Sequence, residues 1–150
     1  MRKVFLVYGS TTGLTEICAE HVKDGLIESG VDVIMQNVLD TTADELDDYE
    51  YIVLGCSTWD YGCLQYDFEP FHEDMKLKDL TGKKFAVFGT GDKAYGETYC
   101  EALRTLTNTV EACGGTCSIE AKDIESDLRE EQLQATKDWA KKFGLQVSGN

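Results

Sequence analysis

The feature that most constrains this chain is its opening segment, KVFLVYGSTTGLT, at residues 3–15. An unbroken apolar run at residues 4–8 predicts a strand that is buried on both faces. The run ends in a turn of glycine, serine and threonine that leads into a helical pattern. A helix start offers backbone N–H groups without helical acceptors and the positive end of the helix dipole. A strand, a hydroxyl-rich turn and a helix in this order therefore favour a phosphate-binding loop.

The absence of a cation narrows the choice of phosphate ligand. Residues 9–15 contain no Lys or Arg, whereas a nucleoside-triphosphate loop requires a Lys directly after its second glycine. The spacing of Gly9 and Gly13 also differs from the G-x-G-x-x-G pattern of dinucleotide loops. The remaining interpretation is a site for a single terminal phosphate that neutral donors hold. The alternative is that the loop binds nothing and is an ordinary helix N-cap rich in Ser and Thr.

Strand and helix patterns alternate along the rest of the chain. Further strands are predicted at residues 31–35, 52–55, 83–89 and 116–121. The pattern is typical of an α/β fold, a doubly wound five-stranded parallel sheet in the order 2-1-3-4-5 with helices on both faces. The helix after the fourth strand is predicted to carry an apolar stripe that starts at Tyr99. In the last helix the predicted stripe starts at Leu128, and Gly144 is the predicted end. We expect one domain over residues 1–150.

Composition restricts the partners and the location of the chain. The formal net charge of −14 argues against binding to nucleic acid or to an anionic membrane surface. A negative charge of this size is typical of a protein that binds basic partners, and also of a protein that its charge merely keeps soluble. The six cysteines form no C-x-x-C pair, and the N-terminus has no export signal, so we expect a cytoplasmic protein without a disulfide scaffold. His21 and His72 lie far in sequence from any cysteine cluster, and no metal site is expected. Cys63 is the thiol expected to be exposed.

Three loops in this chain carry recognisable motifs. S-T-T-G-L-T at residues 10–15 matches the [ST]-x-T-G-x-T phosphate loop of the flavodoxin family. C-S-T-W at residues 56–59 resembles its first flavin loop, and G-T-G-D at residues 89–92, followed by Tyr95, resembles its second. Each loop follows its own predicted strand, so we expect all three at the carboxyl edge of the sheet. The resemblance extends along essentially the whole chain and implies the short-chain, flavodoxin-like fold.

The resemblance also implies a cofactor, non-covalently bound FMN, and the residues that hold it. Trp59 and Tyr95 would cover the two faces of the flavin ring. The implied cofactor-binding residues are Ser10, Thr11, Thr12, Gly13, Leu14, Thr15, Ser57, Thr58, Trp59, Asp60, Tyr61, Gly62, Thr90, Gly91, Asp92, Tyr95, Tyr99 and Cys100. Two positions depart from the family pattern: Leu14 stands where Asn is frequent, and Asp60 follows Trp59 where Gly is common.

The implied function is that of a low-potential one-electron carrier, not an enzyme, which shuttles electrons between redox proteins. Acidic residues in or beside the flavin loops, such as Asp67, Glu69 and Glu97, would oppose negative charge on the ring. The expected partners are basic-surfaced redox proteins, and we expect a monomer. One alternative is a module that stores or delivers FMN, or signals through it. A nicotinamide-binding enzyme domain is disfavoured, because G-T-G-D-K-A at residues 89–94 imitates a dinucleotide loop but follows the fourth strand.

Overall fold

The computed structural model describes residues 2–10, 13–59, 63–93, 96 and 99–149, and gives only the backbone of Trp59. The strands in these residues are β1 (Lys3–Gly9), β2 (Asp32–Asn37), β3 (Tyr51–Cys56), β4 (Thr58–Trp59), β5 (Cys63–Leu64), β6 (Lys84–Gly91), β7 (Thr116–Cys117) and β8 (Lys122–Glu125). The helices are α1 (Leu14–Glu28), α2 (Phe68–Met75), α3 (Glu101–Ala112) and α4 (Glu130–Val147). None of these helices is long and apolar enough to cross a membrane. Two 3₁₀ turns, Val38–Asp40 and Ala43–Asp48, connect β2 to β3.

The main sheet is parallel in the order β2-β1-β3-β6, and both β7 and β8 pair with the outer edge of β6. Taken as two parts of one fifth strand, β7 and β8 complete the predicted order 2-1-3-4-5. Strands β4 and β5 form a separate antiparallel hairpin. The prediction of a doubly wound parallel sheet is therefore confirmed.

The central strand β1 is buried on both faces because its side chains alternate between two cores. Phe5 and Val7 belong to the core under α2 and α3. Val4, Leu6 and Tyr8 belong to the core under α1 and α4. The helices thus lie on both faces of the sheet, as the alternation of strand and helix patterns predicted.

Three predictions about the C-terminal third were wrong. The strand predicted at residues 116–121 is interrupted, because β7 ends at Cys117 and β8 begins at Lys122. Gly144 does not end the last helix, since α4 continues to Val147, and Leu128 precedes the helix although it still packs against that core. A Cβ on Gly144 would overlap Ser29, so this glycine serves the close approach of the helices. Tertiary packing overrides its local tendency to end a helix.

The cysteines of this chain are free thiols. Cys18 and Cys56 are buried, and burial raises the pKa of each thiol to about 12. They therefore pack as small apolar groups. Cys63 is exposed, as predicted from its position in a polar segment.

A buried histidine connects α2 to α3. His72 Nε2 lies 2.8 Å from Thr109 Oγ1. The Thr109 hydroxyl donates to the Thr105 carbonyl at 2.9 Å, so its oxygen accepts from His72, whose Nε2 must carry a proton. Burial and the nearby Lys76 cation lower the pKa of His72 below its usual 6.5, outweighing two nearby carboxylates.

We expect this histidine to make the fold less stable in mild acid. Because the pKa of His72 is lowered in the native state, the unfolded chain binds more protons than the native chain in mild acid. The stabilisation is present above pH 6.5 and is lost as the pH falls from 6.5 towards the native value. His72→Gln keeps an N–H donor but does not titrate. In urea unfolding from about pH 8 to 5, the wild type should lose stability relative to this variant; parallel pH profiles would contradict the prediction.

Candidate functional site

Three chain segments start side by side at the carboxyl edge of the sheet. Gly9 at the end of β1 pairs in register with Cys56 at the end of β3. Gly89, near the end of β6, approaches so closely that a Cβ there would overlap the Cys56 carbonyl oxygen. The segments that follow β1 and β3 begin at Ser10 and Ser57. The third segment begins at Thr90, one residue past Gly89, and includes the last two residues of β6 and the chain from there to α3. The fold thus brings together the starts of the three loops that carry the family resemblance.

The first segment forms a tight turn before α1. Ser10 Oγ accepts a hydrogen bond from the Gly13 N–H at 3.0 Å. Gly13 has a φ of 88°, a left-handed conformation that glycine adopts without steric cost. The first helical hydrogen bond runs from the Ile17 N–H to the Gly13 carbonyl. The three N–H groups before Ile17 have no acceptor within the helix, which suits an anion. Thr11 and Thr12 lie outside the described residues.

A buried pair of hydroxyls joins the first segment to the third. Thr15 Oγ1 in the first turn of α1 lies 3.1 Å from Thr90 Oγ1 at the end of β6. The two residues are only 1% and 3% exposed, so the bond is shielded from solvent. Both were predicted as cofactor-binding residues, but the sequence did not indicate that their side chains meet.

The second segment is the hairpin of β4 and β5. Trp59 pairs with Cys63 across the hairpin, and the Gln65 N–H donates to the Ser57 carbonyl at 3.0 Å. The side chain of Trp59 and the predicted site residues Asp60, Tyr61 and Gly62 lie outside the described part of the chain. Sequence reasoning missed Gln65, which is fully buried; a Cβ on Gly9 would overlap its Oε1. No local pattern marks a glutamine that packs against a distant strand end.

A second hydrogen bond joins the hairpin to the third segment. The Ala102 N–H, in the first turn of α3, donates to Thr58 Oγ1 at 2.9 Å. Thr58 therefore caps a helix that begins more than forty residues later in the chain. This contact holds the start of α3 close to the hairpin.

The residues of the third segment just before α3 contact the end of β6. A Cβ on Gly91 would lie 2.8 Å from Cys100 Sγ, so the close approach requires glycine. Cys100 has a φ of 52°, a left-handed conformation that is uncommon outside glycine and occurs at functional sites. Tyr99 precedes α3, which corrects the prediction that it belongs to the apolar stripe of that helix. The predicted ring-facing Tyr95 and the acidic Glu97 lie outside the described residues.

Acidic groups surround this third segment. Glu125 pairs with Gly91 in the sheet, and its Oε2 accepts from the Lys93 N–H at 3.3 Å. Asp92 is exposed at the end of β6. Burial, with the added effects of Cys100 and Asp123, raises the pKa of Tyr99, so its phenol stays neutral.

Comparisons with known proteins agree with this architecture. A family model described as Flavodoxin matches residues 6–139. A flavodoxin of Maridesulfovibrio salexigens is 35% identical over 136 residues, which cover 89% of this chain and 92% of that protein. The structure of oxidised flavodoxin 2 from Bacillus cereus has a TM-score of 0.90 and 35% identity, covering 96% of this chain and 99% of that one. At 18% identity, a Fusobacterium nucleatum flavodoxin bound to flavin mononucleotide shares the fold, with a TM-score of 0.81 and coverage of 99% and 98%.

Proposed function

Because this chain belongs to the flavodoxin family, we propose that it carries single electrons between redox proteins on a non-covalently bound FMN. The observation that carries the proposal is the meeting of three segments at one edge of the sheet. They are the turn before α1, the hairpin of β4 and β5, and the end of β6. The Thr15–Thr90 and Thr58–Ala102 hydrogen bonds connect them.

The donors at the start of α1 fit the FMN phosphate. The start of α1 has helical N–H groups without helical acceptors, the sequence there supplies neutral hydroxyls, and residues 9–15 contain no Lys or Arg. Hydrogen-bond donors at a helix N-terminus can hold such an anion without a cation. We assign the phosphate to Ser10, Thr11, Thr12, Gly13, Leu14 and Thr15. Leu14 contributes only its backbone N–H, because its side chain cannot donate.

The other two segments are assigned to the flavin ring. We propose that Trp59 and Tyr95 cover its two faces, since large aromatic side chains suit a planar ring. The remaining proposed ring contacts are Ser57, Thr58, Asp60, Tyr61, Gly62, Thr90, Gly91, Asp92, Tyr99 and Cys100. The hydrogen bond between Thr58 and Ala102 supports this grouping, because it holds the hairpin and the start of α3 together.

Bound FMN supplies the one-electron chemistry, and the protein supplies binding, orientation and electrostatics. Asp92 and Glu125 place carboxylates beside the third segment. A carboxylate about 10 Å from the ring costs an added negative charge about 0.4 kcal/mol in water. Since about 1.4 kcal/mol corresponds to about 60 mV for one electron, several carboxylates together lower the potential. The proposal therefore includes a low-potential carrier.

The charge of the protein also supports a class of partner. With 28 Asp and Glu against 14 Lys and Arg, the chain attracts proteins with basic docking surfaces. Such attraction raises association rates and weakens as salt screens the charges. We propose basic redox proteins as the partners.

Titration of the apoprotein with FMN tests the cofactor assignment. We expect one FMN per chain, a yellow complex and quenched flavin fluorescence. Riboflavin, which lacks the phosphate, should bind more weakly because it cannot use the donors at the start of α1. A protein that retains no FMN and leaves FMN fluorescence unchanged would overturn the proposal.

A stopped-flow experiment separates a carrier from an FMN storage or delivery module. The reduced complex is mixed with cytochrome c, a basic haem protein that accepts one electron. A carrier should reduce it while FMN stays bound, at a rate that falls as ionic strength rises. A rate that follows the release of FMN would favour the storage or delivery module.

A further inference from the structure

We infer that Thr90 is a positioning residue for phosphate binding, because its buried hydroxyl orients the hydroxyl of Thr15. The inference rests on the proposed function, in which Thr15 contacts the FMN phosphate. It concerns a residue assigned above only as a ring contact of the third segment.

The Thr15–Thr90 pair has two hydroxyl protons, and only one of them is used in the bond between the two residues. A hydroxyl donates one hydrogen bond and accepts up to two. At 3.1 Å between the two oxygens, either group can be the donor. If Thr15 donates to Thr90, it turns lone pairs towards an anion at the start of α1. If Thr90 donates to Thr15, the proton of Thr15 is directed to that anion.

An anion at the start of α1 selects the second arrangement. Phosphate oxygens accept hydrogen bonds, so the Thr15 proton is used most favourably on the phosphate. The Thr15 oxygen can then accept the proton of Thr90. Since the residues are 1% and 3% exposed, solvent is poorly placed to replace the Thr90 hydroxyl. A buried polar group that loses its partner costs more than an exposed one.

The location of Thr90 gives the pair a second consequence. Thr90 is in β6 next to Gly91, and the backbone carbonyl of Gly91 accepts from the Ser126 N–H at 2.9 Å. The hydroxyl pair therefore links the proposed phosphate loop to the strand end that enters the proposed ring site. Binding of the phosphate would therefore fix the direction of the Thr15–Thr90 hydrogen bond at the end of β6.

Comparison of FMN with riboflavin tests the inference, because the two ligands differ only in the phosphate. Thr90→Val keeps the side-chain shape and removes the donor. We expect Thr90→Val to weaken FMN binding about tenfold more than it weakens riboflavin binding, because both flavins share any contact of Thr90 with the ring. Thr90→Ser, which keeps the hydroxyl, should retain most of the FMN affinity. If Thr90→Val weakens FMN binding and riboflavin binding equally, Thr90 has only a structural role and the inference is overturned.

Double substitution tests whether Thr90 acts through Thr15. The variant with both Thr15→Val and Thr90→Val should show the same ratio of FMN to riboflavin affinity as Thr15→Val alone. Independent, multiplying losses would contradict a role through Thr15. If Thr90→Val does not fold, Thr90→Cys replaces it. The thiol is a weaker donor, so FMN affinity should fall more than riboflavin affinity.

Inorganic phosphate provides a readout without flavin. Phosphate should raise the melting temperature of the wild-type apoprotein more than that of the Thr90→Val apoprotein. Equal shifts would overturn the inference. A wild type that binds neither flavin would instead refute the proposed function, and the phosphate measurement would still decide the role of Thr90.

Discussion

Replacement of Phe88 by alanine is expected to lower the free energy of unfolding by about 3–5 kcal/mol. Phe88 is fully buried on β6, and its ring meets that of Trp139 edge to face, with centroids 6.1 Å apart. The loss combines the transfer free energy of the removed ring with the cavity that it leaves. Urea denaturation monitored by far-UV circular dichroism measures the change.

A partner substitution makes this prediction specific. The Phe88 ring fills the space above Gly55, where a Cβ would overlap its Cζ and lie 2.8 Å from Cε2. Gly55→Ala should therefore destabilise the wild type by overpacking. Combined with Phe88→Leu, which removes the ring, the same substitution should cost clearly less. Strictly additive losses would show that the ring does not occupy this space.

Gly89→Ala is expected to damage both stability and cofactor binding. A Cβ at this position would overlap the Cys56 carbonyl oxygen and lie 2.9 Å from Leu103 Cδ2. Because the obstacle is backbone, it cannot rotate away, and β3 and β6 must separate at their carboxyl ends. The shift would displace Thr90, the next residue. We expect a loss of about 1–3 kcal/mol in stability and at least about tenfold in FMN affinity.

Gly25→Ala is the matched control for this prediction. A Cβ on Gly25 would overlap the Lys137 carbonyl oxygen, another backbone obstacle, and lie 3.1 Å from Ala140 Cβ. This contact lies between α1 and α4, in the body of the two helices. The variant should lose comparable stability, while its folded form keeps the FMN dissociation constant of the wild type. Similar losses of affinity in both variants would show that the effect of Gly89→Ala is general destabilisation.

Local chemistry alone predicted the central strand and the turn after it. The apolar run at residues 4–8 is buried on both faces because every side chain in it suits a core. Gly13 adopts the left-handed conformation of a turn before a helix, as the hydroxyl- and glycine-rich pattern indicated. The strand order followed from the alternation of strands and helices, since crossover connections have one favoured handedness. Each of these inferences depends on neighbouring residues or on general chain geometry.

Packing between distant segments decided the remaining features. The Thr15–Thr90 bond joins residues 75 positions apart, and the Thr58–Ala102 bond joins residues 44 positions apart. Gly144 continues a helix because Ser29 lies against it, and the fifth strand divides where its pairing with β6 is interrupted. Periodicity and turn preference are properties of neighbouring residues, so they indicate where an element forms. Which side chains of different elements come into contact depends on how the helices pack against the sheet, and a local sequence pattern does not specify that packing.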